Sequence, residues 1–292
     1  MRKETILAIF AGITIGIIFA FGGWRLVKTF KKNVPITSPQ PTPTQKKDFS
    51  ITLYNLSDFD VVYKDLVSFS GLTDPNTDVF VVTDEKDFST KSTDNGSFEV
   101  DVTLPASLSE VKIFGFKNPD QSSETKVKLV SSTEFAKAIE ENTDLTKKPI
   151  AYVGTVTDIS SGTIQIKDEE GDIKQISLLE ETKFINTLKK NVEVKSTDLA
   201  IGDYIIAMGF INGNKVLKTQ RLLITSPVEE NKFEVRRITI EKLSKTKIND
   251  ITLPKKWVGP NVNDLDEGQT IFVTGRTEKD IFSLRTIFTP VE

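Results

Sequence analysis

The sequence predicts a mainly β protein carried on one membrane-spanning helix, and three observations lead there. The run Thr5–Trp24, TILAIFAGITIGIIFAFGGW, is apolar and uncharged. From Phe49 onward, short alternating stretches rich in Val, Phe, Thr and Ile are separated by Asp, Asn, Gly and Pro turns, the period-two pattern of strands with one buried face. Finally, a turn-and-strand pattern recurs near the end of the chain at a constant offset of 66 residues. The expected architecture is a transmembrane helix, a β-sandwich, and a smaller β unit present twice.

Residues 1–32 form the anchor with its basic flanks. At about 1.5 Å per residue the run reaches roughly 30 Å as a helix, the thickness of a bilayer's hydrocarbon core. A cleaved signal peptide is the alternative, with Arg2 and Lys3 before the run and Ala20-Phe21-Gly22 as a weak cleavage site. The run exceeds a typical signal-peptide core, which favours retention over a secreted form. Ala8, Gly12, Gly16 and Ala20 share one helical face at four-residue spacing, a pattern that lets two helices approach and form a homodimer. Unpatterned lipid-facing composition explains the same residues. Arg25, Lys28, Lys31 and Lys32 come directly after the span, so flanking charge alone would place the remainder in the cytoplasm. The exported look of the linker and β modules decides for residues 33–292 outside, in a single-pass protein of the cell membrane.

Composition removes whole classes of chemistry. The 292 residues include no His and no Cys, which excludes Ser-His-Asp and Cys-His catalysis, His-ligated zinc, thiolate metal sites and disulfides. Residues 1–32 hold six Lys/Arg and one Glu, leaving 32 basic and 40 acidic residues beyond them, a charge of −8. That balance argues against a nucleic-acid partner. No enzyme, cofactor or metal site is expected.

Residues 33–48, NVPITSPQPTPTQKKD, carry four prolines and read as an extended spacer reaching up to roughly 50 Å at 3.1 Å per residue. Residues 49–132 come next as the sandwich. Here Val67-Ser68-Phe69-Ser70-Gly71-Leu72-Thr73-Asp74-Pro75-Asn76-Thr77-Asp78-Val79, then Asp94-Asn95-Gly96-Ser97-Phe98, resemble the motif of bacterial immunoglobulin-like (E-set) surface domains. The resemblance implies an immunoglobulin-like β-sandwich and is nearly silent on function. Asp74-x-Asn76-x-Asp78 imitates the start of a calcium loop, with Glu85 at the twelfth position. Val79 nevertheless stands where such a loop needs its Gly, and turn chemistry accounts for the residues.

Residues 133–149 read as a connector with a short helix in which Phe135, Ala138 and Ile139 share a face. Residues 150–225 return to strands. Gly154-Thr155-Val156, Gly162-Thr163-Ile164, Gly171, Thr182-Lys183-Phe184, Asp198-Leu199-x-x-Gly202-Asp203-x-Ile205, Gly209 and Asn214 resemble an envelope family of small OB-like β-barrel domains of unknown function. Residues 226–292 echo this unit in shorter form. Asp264-Leu265-Asp266-Glu267-Gly268 and Gly275 stand 66 residues after Asp198–Gly202 and Gly209, and Phe233–Ile240 and Ile248–Leu253 offer opening strands. Whether this second OB-like unit closes its own barrel or shares edges with the first is left open by its length.

Few residues suggest a site. Arg221, Arg236 and Arg237 lack the interleaved aromatic platforms of nucleic-acid binders. Trp257, in a Pro- and Gly-flanked loop, offers either a ligand contact for a glycan or a partly buried plug. The adjacent pairs Glu140/Glu141, Glu169/Glu170 and Glu180/Glu181 make no catalytic pair, because neighbours on a strand face opposite ways and turn residues are solvated. The expected function is therefore a non-catalytic envelope protein that binds or scaffolds a protein or glycan at the cell surface. An accessory subunit of an envelope enzyme or secretion complex is the alternative.

Overall fold

The computed structural model describes residues 49–64, 66–105, 107–118, 121–135 and 148–290. The anchor Thr5–Trp24, with Ala8, Gly12, Gly16 and Ala20, and the spacer 33–48 lie outside the described residues, as does most of the connector. Among the described residues no helix is long and apolar enough to cross a membrane.

The first eight strands are β1 (Thr52–Leu53), β2 (Asp60–Val62), β3 (Leu66–Leu72), β4 (Asp78–Val82), β5 (Asp87–Lys91), β6 (Ser97–Thr103), β7 (Ser107–Asn118) and β8 (Gln121–Ser131). Sheet β1-β3-β6 and the run β5-β4-β7-β8-β2 pack around Phe69, Val79, Val81, Phe98, Val102, Val111, Ile113 and Leu129. Asn95-Gly96 turns the chain into β6 with Gly96 at φ 85°, a conformation that suits glycine. The alternation expected on β4 is absent. Val79 and Val81 face the sandwich core, while Phe80 and Val82 on the other face are equally buried.

The barrel comes next, built from β9 (Ile150–Ser160), β10 (Thr163–Lys167), β11 (Ile173–Asn186), β12 (Val192–Val194), β13 (Tyr204–Ile211) and β14 (Leu217–Thr225). Hydrogen bonding runs β9-β10-β11-β14-β13 and returns to β9, with β11 and β14 parallel and the other neighbours antiparallel. A closed ring of strands has no exposed edge. The bends that closure needs fall at bulges, one of them between Met208 and Gly209. Val156, Ile164, Ile166, Ile176, Ile205, Ala207, Leu217 and Leu222 fill the interior.

Sandwich and barrel are spliced through β2. Its residues pair in parallel with Leu129–Ser131 of β8, and Asp60 pairs on the other side with Ile150 of β9. The connector begins as a single 3-10 turn, Thr133–Phe135, and Phe135 packs against Phe210 with ring centroids 6.3 Å apart. Within residues 48–292 the modules thus form one compact unit rather than separate beads.

The last strands are β15 (Phe233–Thr239), β16 (Leu243–Ser244), β17 (Lys247–Ile248), β18 (Ile251–Thr252), β19 (Thr270–Glu278) and β20 (Ile281–Phe288). The expected opening strand Phe233–Ile240 is β15. Ile248–Leu253 instead divides between two-residue strands of a small sheet β16-β17-β18. The recurrence at offset 66 is physical. Gly202 N donates to Val156 O at 2.9 Å, and Gly268 N to Ile240 O at 2.7 Å. Both glycines have positive φ, and the bulge at Met208/Gly209 is matched by one at Thr274/Gly275. The ring does not close here: the sheet is β15-β19-β20, and only the parallel bridge Val258–Thr286 stands where β11 pairs with β14.

The open unit covers the sandwich instead. Phe80, Val82, Phe114 and Phe116 meet Val235 and Phe272, with Phe233 and Phe288 at the margin. Phe80 and Phe272 lie 4.6 Å apart, centroid to centroid, and Phe116 and Phe272 5.3 Å. Burying one such side chain contributes about 1.5–3 kcal/mol, and tilted ring pairs add roughly 0.5–1.5 kcal/mol.

Candidate functional site

Beside this aromatic seam lies the most heavily bonded carboxylate among the described residues. The Asp87 side chain at the start of β5 is fully buried and receives Arg285 of β20 through Nε at 2.9 Å and through Nη2. Thr274 and Thr286 donate their hydroxyls to the same carboxylate. Arg285 also donates to the carbonyls of Asp84 and Thr83, both at 2.9 Å, and stacks 3.5 Å above the Phe233 ring. A buried charge is tolerated when every lone pair and proton finds a partner, and here the partners come from two modules.

Trp257 sits on the rim of the last unit. Its indole N–H donates to Pro260 O at 2.9 Å, and its ring packs against the core of Ile240, Leu265 and Leu284. One side borders a shallow groove of about 510 Å³ that Phe233, Lys256, Val258, Arg276 and Leu284 also line. Plug and groove wall are thus combined in one side chain.

The other nominated residues are occupied within the chain. Arg236 pairs with Glu234 at 2.6 Å and lies 4.2 Å over the Phe282 ring. Arg237 lies 5.8 Å from the centre of the Phe272 ring, and Arg221 pairs with Glu134. Asn76 takes the left-handed conformation, at φ 57°, and donates to Asp94 at 3.2 Å, while Asp74 holds Lys117 at 2.6 Å. These are turn and strand contacts, in keeping with the missing glycine at Val79. Asp168, Glu170 and Asp172 bring their carboxylates within 4.8 Å of one another. Asp168 is committed there: it accepts from Glu170 N and Asp172 N and pairs with Lys174 at 3.3 Å. Burial opposes the charge, but these donors outweigh it and hold the Asp168 carboxyl below the usual range.

A second cleft, of about 320 Å³, opens where sandwich, barrel and the segment before β15 meet. Glu110 and Leu108 of β7, Lys126 and Lys128 of β8, Glu169 of the barrel turn, and Val228–Glu230 line it. Asn231 is buried and fastens that last segment, donating to Val82 O and Glu110 O at 3.1 Å each. Glu110 is only 4% exposed. Its Oε2 lies 3.5 Å from Lys126, whereas Oε1 has no hydrogen-bond partner. Nearby, burial and then the Glu169 carboxylate push the Tyr204 phenol up to about 12.

Sequence reasoning did not single out Glu110, Asp87 or Arg285. The available signal was apolar excess: Val79-Phe80-Val81-Val82 and Phe114-Gly115-Phe116 leave no polar face, the mark of strands covered on both sides.

No protein-family model and no curated protein sequence matches the chain. Among solved structures, the periplasmic chaperone SfaE is 14% identical, with a TM-score of 0.22, over 60% of this chain and 100% of its own. The Bacteroides ovatus mixed-linkage glucan utilization locus protein SGBP-B, in complex with a mixed-linkage heptasaccharide, is 9% identical, with a TM-score of 0.24, over 82% and 70%. A 1.5-MDa bacterial ice-binding adhesin is 11% identical, with a TM-score of 0.21, over 79% and 76%. At these scores the likeness lends nothing to the functional reading.

Proposed function

We propose that this chain is a non-catalytic, membrane-anchored cell-envelope protein that displays a rigid β head for binding or scaffolding a protein or glycan outside the cell. In this reading Thr5–Trp24 is the anchor, residues 33–48 the stalk, and residues 33–292 extracytoplasmic. The head combines an immunoglobulin-like sandwich, an OB-like barrel and an incomplete second OB-like unit. The ring order β9-β10-β11-β14-β13, with its one parallel pair, supports the OB-like assignment. The observation that carries the functional reading is the Asp87–Arg285 lock together with the β2 splice. Buried charge is spent there on fixing the relative geometry of modules, which suits a protein whose product is a shape.

Extraction of the full-length chain in mild detergent, followed by co-purification and a glycan array, tests this reading. Glycan binding, or capture of a surface protein without a fixed stoichiometric complex, supports display. A stoichiometric membrane complex moves the assignment to an accessory subunit. Robust hydrolase activity in the purified chain would overturn both, and protection of the head from protease on intact cells would overturn its outward placement.

A further inference from the structure

We propose that Asn212 is a site of spontaneous modification: its side-chain amide is lost by cyclisation onto the Gly213 nitrogen, leaving aspartate and isoaspartate at the turn between β13 and β14. Asparagine is among the thermolabile residues, and the sequence holds two Asn-Gly pairs, Asn95-Gly96 and Asn212-Gly213. Glycine puts no Cβ beside the attacking nitrogen, so the sequence alone makes the two pairs equally reactive. The fold separates them. Gly96 is buried, its N–H donates to Thr93 O at 2.8 Å and its carbonyl accepts from Thr73 N at 2.9 Å. A Cβ there would lie 2.1 Å from Thr73 O, so the peptide has no room to turn toward the Asn95 side chain. Gly213 is exposed, and neither its N–H nor its carbonyl has a hydrogen-bond partner among the described residues. Nothing lies within 4 Å of the place its Cβ would take.

The electrophile is prepared at both sites. Asn212 Oδ1 accepts from Asn214 N at 2.9 Å and Val216 N at 3.0 Å, donors that stand where negative charge develops as the side-chain carbonyl is attacked. Asn95 Oδ1 likewise accepts from Ser97 N at 3.0 Å, so the freedom of the glycine nitrogen decides between them. Hydroxide removes the Gly213 amide proton, the nitrogen bonds to Asn212 Cγ, and the Cγ–Nδ2 bond breaks as ammonia leaves with a proton from water. Water then adds to either carbonyl of the cyclic imide and opens it to aspartate or isoaspartate. One water is consumed, one ammonia is released, and nothing is oxidised or reduced. The isoaspartate product carries a new charge and an extra main-chain carbon close to Lys215, whose carbonyl receives the Tyr152 hydroxyl at 2.7 Å.

The test is incubation of the full-length protein in mild detergent at mildly alkaline pH, beside the same protein unfolded in urea. Peptide mapping by mass spectrometry, with fragmentation that distinguishes isoaspartate, then follows both asparagines over time. In urea the two should convert at similar rates. In the folded protein Asn212 should convert about tenfold or more faster than Asn95, because both hydrogen bonds of Gly96 must open before its nitrogen can attack. Gly213→Ala, for which the backbone leaves room, should slow conversion of Asn212 and leave that of Asn95 unchanged. Equal rates at the two sites in the folded protein would overturn the proposal. So would an Asn212 that persists in the folded protein while it converts in urea, or one that converts as fast in Gly213→Ala as in the wild type.

Discussion

Arg285 grips both oxygens of Asp87 across 198 residues of sequence, from strand β20 to strand β5. The carboxylate is fully buried and the guanidinium nearly so. Removing either partner leaves the other charged and stranded in a seam of aromatic rings. Asp87→Ala or Arg285→Ala should therefore cost about 3–5 kcal/mol in a urea titration. Arg285→Lys should rescue little of this, because a single ammonium cannot reproduce the fork that also serves the carbonyls of Thr83 and Asp84.

Gly209 and Gly275 report whether the two bulges do the same work. A Cβ built at Gly209 would lie 1.9 Å from Lys218 O, and one at Gly275 would lie 2.3 Å from Ser283 O. Both obstacles are backbone, so Gly209→Ala and Gly275→Ala should each cost about 1–3 kcal/mol or more by thermal unfolding. Gly162 is the contrast, with φ 75° and nothing within 4 Å. Gly162→Ala should lose only about 1 kcal/mol, for its backbone angle alone.

Tyr204 sets an alkaline limit. Its phenol is raised to about 12 by burial and by the Glu169 charge, against 10.0 for an unperturbed tyrosine. The folded state therefore holds a proton that the unfolded state gives up first. The associated stability is complete below pH 10.0 and is lost as pH rises from there through about 12. Denaturation curves across that window should fall less steeply for Tyr204→Phe than for the wild type.

Trp257 separates plug from platform by its own loss. The indole is half-buried and hydrogen-bonded, so Trp257→Ala should destabilise the protein by roughly 2 kcal/mol, less than the 3–5 kcal/mol usual for a fully buried ring. Trp257→Phe should retain most of that stability. If the groove also binds a sugar, the same Phe variant should show weaker retention on a glycan array.

The strands were legible because their period is local: Val67 to Phe69, Phe98 to Val102 and Tyr204 to Phe210 all announce themselves within a few residues. The recurrence of Leu199-x-x-Gly202 as Leu265-x-x-Gly268 was legible too, since the same turn imposes the same glycine. What could not be read was partnership. Phe80 and Phe114 signalled a covered outer face, but nothing near them names Phe272, almost two hundred residues on, as the cover. Glu110 carries no local mark of its burial, and Asn231, which donates to its backbone carbonyl, lies 121 residues away. The candidate cleft was invisible for the same reason: it is a meeting of three segments rather than a motif.

The β2 splice also dictates an order of events. Asp60–Val62 must wait for Leu129–Ser131 and then Ile150 before both of its edges are satisfied, and Asp87 must wait for Arg285. A growing chain therefore cannot finish its first module until the second has begun, nor bury the Asp87 carboxylate with its partner until Arg285 has been made. Such long-range closure slows folding, so the nascent chain should pass through an extended, chaperone-sensitive interval in which the Phe80 and Phe114 face lies bare.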